Sequence, residues 1–430
     1  MEGVRRTREP AVIRRIGWRL MPFLLLMYVL AFLDRTNVGF AKAEFQLATG
    51  ISDAAYAFGA SIFFVGYALL EVPSNLMLVR FGARLWLARI MIVWGLISAG
   101  TFLVTTESGF YVLRALLGIA EAGFFPGIIF YLTCFYPQAY RARAMGLFYL
   151  GAPLSFIIGG PVSGLLLALD GTGGLAGWQW MFLVEGLAAT VVGVAAYFYL
   201  SDSPERSAWL TSEEKSELVA LKVADASPAP AEGHGIGAML AALASRTTLY
   251  FAATYALVQM SVYGLIFFLP GQVAALVGAK TGPLVGVIFA IPWVFALIGT
   301  WLAPRWADRH ARHHAVAAAL LVGAGAGLVV SVLAGSAILA MAGLSLAAIG
   351  FIAAQPILWS IATARLAGAH AAAAIALVNS IGALGAFAAP NLRVLAETHV
   401  PLPGAGIYLL AGFALLAALL IAVERGRRAQ

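Results

Sequence analysis

The sequence has little charge and almost no cysteine. Only 11% of its 430 residues are Asp, Glu, Lys or Arg, whereas 62% are hydrophobic, and Cys134 is the single cysteine. Soluble domains carry about 25% charged residues, so this composition excludes an ordinary soluble protein and predicts a polytopic membrane protein. One cysteine also excludes an intrachain disulfide and a multi-cysteine metal site.

Two further absences concern energy source and chemistry. The chain has no Gly-rich phosphate-binding loop ending in Gly-Lys-Ser/Thr, which argues against ATP as an energy source. His310, His313 and His314 lie beside arginines, and we expect them to add positive charge to a loop rather than to bind a metal. We therefore expect no organic cofactor, no metal and no enzymatic activity.

Long apolar runs make up most of the chain. A membrane-spanning helix needs about 20 mostly apolar residues. Such runs occur near 20–41, 54–79, 85–105, 110–134, 144–168, 180–200, 247–270, 283–303, 315–334, 339–363, 372–396 and 406–423. They predict an all-helical membrane protein with twelve spans in two groups of six.

The polar segment 201–245 divides the two groups. It holds a short amphipathic stretch and then the Pro/Ala/Gly-rich linker "ASPAPAEGHG", and it is typical of a connector. The predicted units are an N-terminal six-helix bundle at 1–200, a cytoplasmic central loop at 201–245 and a C-terminal six-helix bundle at 246–430. Basic and glycine-rich patterns recur about 230 residues apart, which favours an internal duplication and two pseudo-symmetric bundles.

The basic residues predict the orientation. If the N-terminus is cytoplasmic, all but five of the 27 Lys and Arg residues fall on the cytoplasmic side. This count includes the tail with Arg5, Arg6 and Arg8 and the C-terminal Arg425, Arg427 and Arg428. No small-residue cleavage site follows the first apolar run, so we expect a retained first span and cytoplasmic N- and C-termini.

Ionisable residues inside the spans are the main functional candidates, because a charge at the bilayer centre costs at least about 2.5–3.5 kcal/mol. Asp34 and Arg35 lie in span 1, and Arg114 and Glu121 lie two helical turns apart in span 4. At about 1.5 Å per residue, both arginines fall in the outer third of the membrane and Glu121 near its middle. The four residues are therefore expected to converge.

Their chemistry indicates anion recognition. Guanidinium groups bind carboxylates in a bidentate manner. An anionic substrate that competes for an arginine would free Asp34 or Glu121 to take up a proton, which would couple anion and proton uptake. The alternative is that these charges are structural ion pairs between spans 1 and 4. For Glu71 and Glu185 the structural and functional interpretations stay open.

Uncharged polar residues are the candidates in the second half. Trp359 in span 10 and Asn379 in span 11 fall at similar depth and are expected to reach a central cavity, and Tyr67 in span 2 is a further candidate. Packing or helix–helix hydrogen bonding is the alternative for each. Gln259, Tyr263 and Gln355 are polar groups of the same kind.

Several stretches resemble the major facilitator superfamily, in particular its anion:cation symporter branch, which includes bacterial tartrate, phthalate and sugar-acid transporters. They are "MPFLLLMYVLAFLDRTNVGFAKA", "FFVGYALLEVPSNLMLVRFGARLWLARIMIVWG", "YVLRALLGIAEAGFFPGIIFYLTCFYP" and "GWQWMFLVEG", with "YGLIFFLP", "QPILWS" and "ALVNSIGALGAF" in the second half.

The resemblance implies proton symport of an organic anion by alternating access of two bundles. It implies that Arg35 and Arg114 bind substrate and that Asp34 and Glu121 carry protons. It also implies that Tyr67, Trp359 and Asn379 line the cavity. Many members of the branch have Tyr where this chain has Phe32, so the pocket is expected to lack one hydroxyl.

The leading hypothesis is a bacterial inner-membrane importer of a small carboxylate, with tartrate-like acids ahead of sugar acids and aromatic carboxylates. The expected partners are the organic anion, protons and the lipid bilayer, with no nucleic acid, and the resemblance implies a monomer. Efflux of drugs by proton antiport and a membrane sensor without transport are the alternatives.

Overall fold

The computed structural model describes residues 10–224, 244–366 and 371–426. The described residues form helices and no strand, and twelve spans are long and apolar enough to cross a membrane. This confirms the predicted twelve-helix fold. The predictions for Arg5, Arg6, Arg8, Arg427, Arg428 and the linker 226–235 lie outside the described residues.

The spans follow the chain in order. Spans 1 to 6 are Ala11–Thr49, Asp53–Phe81, Ala83–Gly100, Glu107–Glu121 with Phe124–Phe135, Gln138–Tyr149 with Gly151–Leu167, and Gly177–Tyr199. Spans 7 to 12 are Arg246–Ile266, Pro283–His310, His313–Leu333, Ala337–Arg365, Ala371–His399 and Ala405–Gly426. Shorter helical segments are Thr101–Leu103, Thr172–Gly174, Ser212–Ala224 and Leu269–Val277.

Hydroxyl side chains define where several spans begin. Ser52, Thr106, Ser245 and Ser336 each precede a span and accept a hydrogen bond from a backbone N–H in its first turn. The first N–H groups of a helix have no partner within it, so these caps fix the start of each span against the loop before it.

The connector helix Ser212–Ala224 has a capping box at its start. The Glu214 carboxylate accepts from the Thr211 N–H at 2.9 Å, and the Glu214 N–H donates to the Thr211 hydroxyl at 3.2 Å. The Thr211 N–H and the Arg15 guanidinium, 2.8 Å away, lower the pKa of Glu214. With Leu218 buried, these contacts dock the helix on the end of the molecule where span 1 begins, which we call the arginine-rich end.

The two six-helix groups touch closely at the opposite end. An added Cβ on Gly160 of span 5 would lie 2.5 Å from the Gly286 carbonyl oxygen of span 8, so only glycines permit this approach. The Asn391 amide of span 11 donates to the Ser61 hydroxyl of span 2 at 2.8 Å. Gly39 of span 1 faces the backbone of Phe267, just beyond span 7.

A cavity of about 590 Å³ separates the halves toward the arginine-rich end. Its walls include Tyr28, Phe32, Gln259, Tyr263 and Gln355. Exposed charged side chains also line it, namely Arg143, Arg305 and Asp308. The structure is thus tightly packed between the halves at one end and hollow toward the other.

Candidate functional site

Arg35 and Glu121 form an ion pair at the centre of the molecule. The Arg35 Nη2 donates to Glu121 Oε1, and the Glu121 side chain is completely buried. The Arg35 Nη1 donates to the hydroxyl of Tyr263 at 3.2 Å. Because Tyr263 lines the cavity and belongs to the other half, this hydrogen bond joins the two halves and connects Arg35 to a cavity-lining residue.

Aromatic rings surround the Arg35 guanidinium. Its carbon lies 5.0 Å from the centre of the Phe32 ring, 5.4 Å from that of Phe63 and 5.5 Å from that of Tyr67. Rings at this distance attract a cation through their quadrupole and exclude water from it. Tyr67 therefore lies near the predicted site, and Phe32 places a ring without a hydroxyl on the cavity wall.

A break in span 4 follows Glu121 directly. The first segment of the span ends at Glu121, and Gly123 adopts a positive φ of 85° before the second segment begins. A Cβ on Gly123 would lie 2.4 Å from the Ser74 hydroxyl oxygen. Glycine is required there for both backbone conformation and space, and the break leaves Glu121 at a helix end.

Arg114 lies close to this pair but has different partners. It is buried, its Nη2 donates to the Ala60 carbonyl at 3.1 Å, and its Nη1 lies 3.5 Å from the Asp34 carbonyl. The guanidinium also lies over Phe63 at 5.3 Å. Among the described residues Arg114 has no ion pair with a carboxylate, although Asp34 and Glu121 lie close enough to act on its charge.

The Asp34 carboxylate does not join the arginines. It accepts hydrogen bonds from Trp94 Nε1 at 2.7 Å, Ser98 Oγ at 2.6 Å and Asn37 Nδ2 at 3.3 Å. The depth estimate correctly brings Arg35 to Glu121, but Asp34 is turned toward span 3. Sequence reasoning missed Trp94 and Ser98, although two hydrogen-bond donors four residues apart in an apolar span are a usable signal.

Asn379 and Trp359 have partners in this structure. The Asn379 amide donates to Glu71 Oε1 at 2.8 Å, which joins span 11 to span 2 across the two halves. The Trp359 ring packs edge-on against Tyr255, with 4.9 Å between centroids. The predicted meeting of these two side chains in the cavity is therefore replaced by two separate contacts beside it.

Buried charges of the second half lie away from the cavity centre. Arg393 donates to the Gly264 carbonyl at 2.9 Å and to Glu397 at 3.0 Å. His314 is bonded to Glu424, so the expectation that it only adds charge to a loop is wrong. Its position at the start of span 9 buries it against span 12. No cluster of metal ligands occurs among the described residues.

Comparison with known proteins identifies relatives over almost the whole chain. The profile of the Major Facilitator Superfamily matches residues 24–390. The inner membrane transport protein RhmT of Escherichia coli K12 is 46% identical over 97% of this chain and 96% of its own. An Agrobacterium vitis protein whose name proposes tartrate transport is 41% identical over 96% of this chain and 91% of its own.

A solved structure shows the same fold. The crystal structure of a D-xylose-proton symporter superposes with a TM-score of 0.73, covering 94% of this chain and 97% of that one. The two sequences are 15% identical, so this similarity concerns the arrangement of the twelve helices.

Proposed function

Because the chain belongs to the Major Facilitator Superfamily and is therefore a membrane transporter rather than an enzyme, we propose that it imports a small organic carboxylate together with protons. The observation that carries the proposal is the Arg35 guanidinium. It donates to Tyr263, a residue that lines the cavity, and is held by Glu121, a protein carboxylate that a substrate carboxylate can replace.

The charge balance around Arg35 favours proton uptake with the anion. The buried ionisable groups of the first six spans comprise four carboxylic acids and two guanidiniums. They are Asp34, Glu71, Glu121, Glu185, Arg35 and Arg114. With all of them ionised, the cluster would carry a net charge of −2 and would repel an anion, so at least two protons are needed for neutrality and a further one for each bound monoanion.

The exchange can be written as one step. The substrate carboxylate enters the cavity and accepts hydrogen bonds from Arg35, and Glu121 loses its only described ion-pair partner. A buried carboxylate without a cation is unstable, so Glu121 binds a proton from the cavity and becomes neutral. The anion and the proton then cross together, and release of both on the other side restores the Arg35–Glu121 pair.

The shape of the protein supports alternating access. The halves are packed at one end by glycine contacts and separated by the cavity at the other. Under the orientation predicted from the basic residues, the cavity faces the cytoplasm and this state is inward-facing. The similarity to RhmT, described as an inner membrane protein, supports the same membrane for this chain, with cytoplasmic N- and C-termini.

We place tartrate-like hydroxy acids first among the substrates, and sugar acids and aromatic carboxylates next. Two relatives are named for tartrate, and the cavity offers hydroxyl and amide groups at Gln259, Tyr263 and Gln355, of which Tyr263 contacts Arg35. Such groups bind the hydroxyls of a hydroxy acid, while Arg35 binds its carboxylate. Trp359, on span 10, which borders the cavity, and Asn379, on span 11, are the proposed second-half contributors.

Uptake into proteoliposomes tests the proposal. Labelled tartrate, a sugar acid, an aromatic carboxylate and an organic cation are compared with and without an inward proton gradient. Gradient-driven accumulation of an acid is expected. Transport of the cation against a proton gradient would instead establish efflux by antiport, and no transport of any acid would refute the proposed function.

A further inference from the structure

Glu185 is a buried carboxylate that the exchange at Arg35 does not use. It lies on span 6 and is only 3% exposed. The Ser163 hydroxyl of span 5 donates to its Oε1 at 2.7 Å, while its Oε2 has no hydrogen-bond partner. No cation pairs with it among the described residues, in a region where an isolated negative charge is costly.

Asn37 and Asp34 are neighbours of Glu185. The Asn37 amide nitrogen donates to Asp34 Oδ1 at 3.3 Å, and both residues lie close enough to Glu185 to act on its charge. Asn37 is completely buried, and its carbonyl oxygen has no donor. Among the groups that act on Glu185 from the neighbouring spans, Asp34 is the ionisable one, because Ser163 and Asn37 do not titrate.

The buried groups around Glu185 lack one hydrogen-bond donor. Asp34 and Glu185 are both buried, and every described donor that reaches either acid already serves one of its oxygens, while Glu185 Oε2 and the Asn37 carbonyl oxygen remain unsatisfied. A proton on Glu185 removes the uncompensated charge and supplies a donor. Ionisation of both acids at once is disfavoured, because like charges in a medium of low dielectric constant repel strongly.

We propose that Glu185 is a further proton-coupling residue, which binds and releases one proton in each transport cycle next to Asp34 and Asn37. The proposal rests on the proton symport proposed above. Proton binding converts the Glu185 carboxylate to a neutral acid, and proton release restores the carboxylate. The competing explanation is that Glu185 stays protonated throughout and only connects spans 5 and 6.

The stoichiometry of uptake separates the two explanations. Proteoliposomes are loaded with potassium and valinomycin so that the membrane potential is zero, and a gradient of about one pH unit drives uptake of the acid that the parent protein accumulates. Each coupled proton then contributes about tenfold to the limiting accumulation ratio. Glu185→Gln removes the proton site at constant shape, and Glu185→Asp keeps a titratable group.

We expect Glu185→Gln to lower the limiting accumulation ratio about tenfold while counterflow exchange, which moves no net protons, continues. Glu185→Asp should keep the parent ratio, and so should Glu107→Gln, the same change at an exposed site of the first half. An unchanged ratio in Glu185→Gln would overturn the proposal in favour of permanent protonation.

Loss of exchange along with accumulation in Glu185→Gln would also overturn the proposal, since it would assign Glu185 to folding or to the movement of the halves. Failure of proton symport itself is distinguishable from both results. In that case the parent protein would show no accumulation driven by the pH gradient.

Discussion

The Arg35–Glu121 ion pair can be tested for a structural and a substrate-binding role in one double-mutant cycle. In Arg35→Ala, the completely buried Glu121 side chain loses its only described ion-pair partner and keeps only the more distant Arg114. Removing one partner of a buried ion pair costs about 3–5 kcal/mol, because the other charge remains buried and unpaired. In the double variant Arg35→Ala/Glu121→Gln that charge is gone, and we expect most of the stability to return.

Substrate affinity should behave differently from stability. Each hydrogen bond from a guanidinium to a carboxylate contributes about 1.5–3 kcal/mol, which corresponds to roughly 10- to 150-fold in the dissociation constant. We expect a loss of at least this size in both Arg35→Ala and the double variant. Replacing Glu121 restores the fold but does not restore the group that binds the anion.

Both quantities are measurable on purified protein. Cys134 is the single cysteine and is partly buried, so a thiol-reactive dye reports thermal unfolding without further labelling. Binding of labelled acid gives the dissociation constant. Arg80→Ala, at an exposed position, is the control. A double variant that binds substrate like the parent would show that Arg35 serves only the ion pair and would refute the reasoning.

Three further predictions follow from the site and the fold. Glu121→Gln should keep counterflow exchange and lose proton-driven accumulation, measured in the same vesicles; retained accumulation would exclude Glu121 from proton coupling. Gly286→Leu should separate spans 5 and 8, because an added Cβ would lie only 2.2 Å from the Gly160 carbonyl oxygen. Distances between spin labels at the packed end should increase, and unchanged distances would contradict a closure that depends on glycine. Phe32→Tyr adds a hydroxyl to the cavity wall and should raise the affinity for hydroxy acids relative to that for unsubstituted acids, measured in competition assays. Equal effects on both affinities would show that the ring does not contact the substrate.

The sequence is sufficient to predict the twelve helices and, within the charge cluster, the proximity of Arg35 and Glu121. Apolar length predicts all twelve spans, because a run of about 20 apolar residues is what a helix needs to cross a bilayer with its backbone satisfied. Depth along the membrane predicts that the charges of spans 1 and 4 converge, and Arg35 and Glu121 do meet. Depth carries no information about rotation around a helix axis, and the remaining partners depend on that rotation.

Asp34 shows this limit clearly. Neighbouring residues on a helix point about 100° apart, so Asp34 and Arg35 cannot both face the cavity. Arg35 reaches Glu121 and Tyr263, while Asp34 is turned to Trp94 and Ser98. Which of the two faces the cavity depends on packing against spans 3, 4 and 7.

Contacts between the halves could not be predicted, because they belong to one conformational state. The Asn379–Glu71 hydrogen bond and the Gly160–Gly286 approach join residues more than 100 positions apart. Neither residue pair has a local pattern in sequence. Under alternating access such contacts also break when the halves move. We therefore expect no sequence pattern that is specific to one conformation.

The separation of Asp34 from Arg35 has a consequence for coupling. If both acids of the predicted pair faced the substrate, proton binding and anion binding would compete for one volume. Instead Glu121 is bonded to Arg35, which also donates to the cavity residue Tyr263, whereas Asp34 is bonded to Asn37, Trp94 and Ser98 within the first six spans. Span 1 thus carries Arg35 on one side and Asp34 and Asn37 on the other. Under the proposed function we expect a displacement of span 1 by substrate at Arg35 to change the hydrogen bonds of Asp34, which would give the anion a mechanical effect on proton affinity.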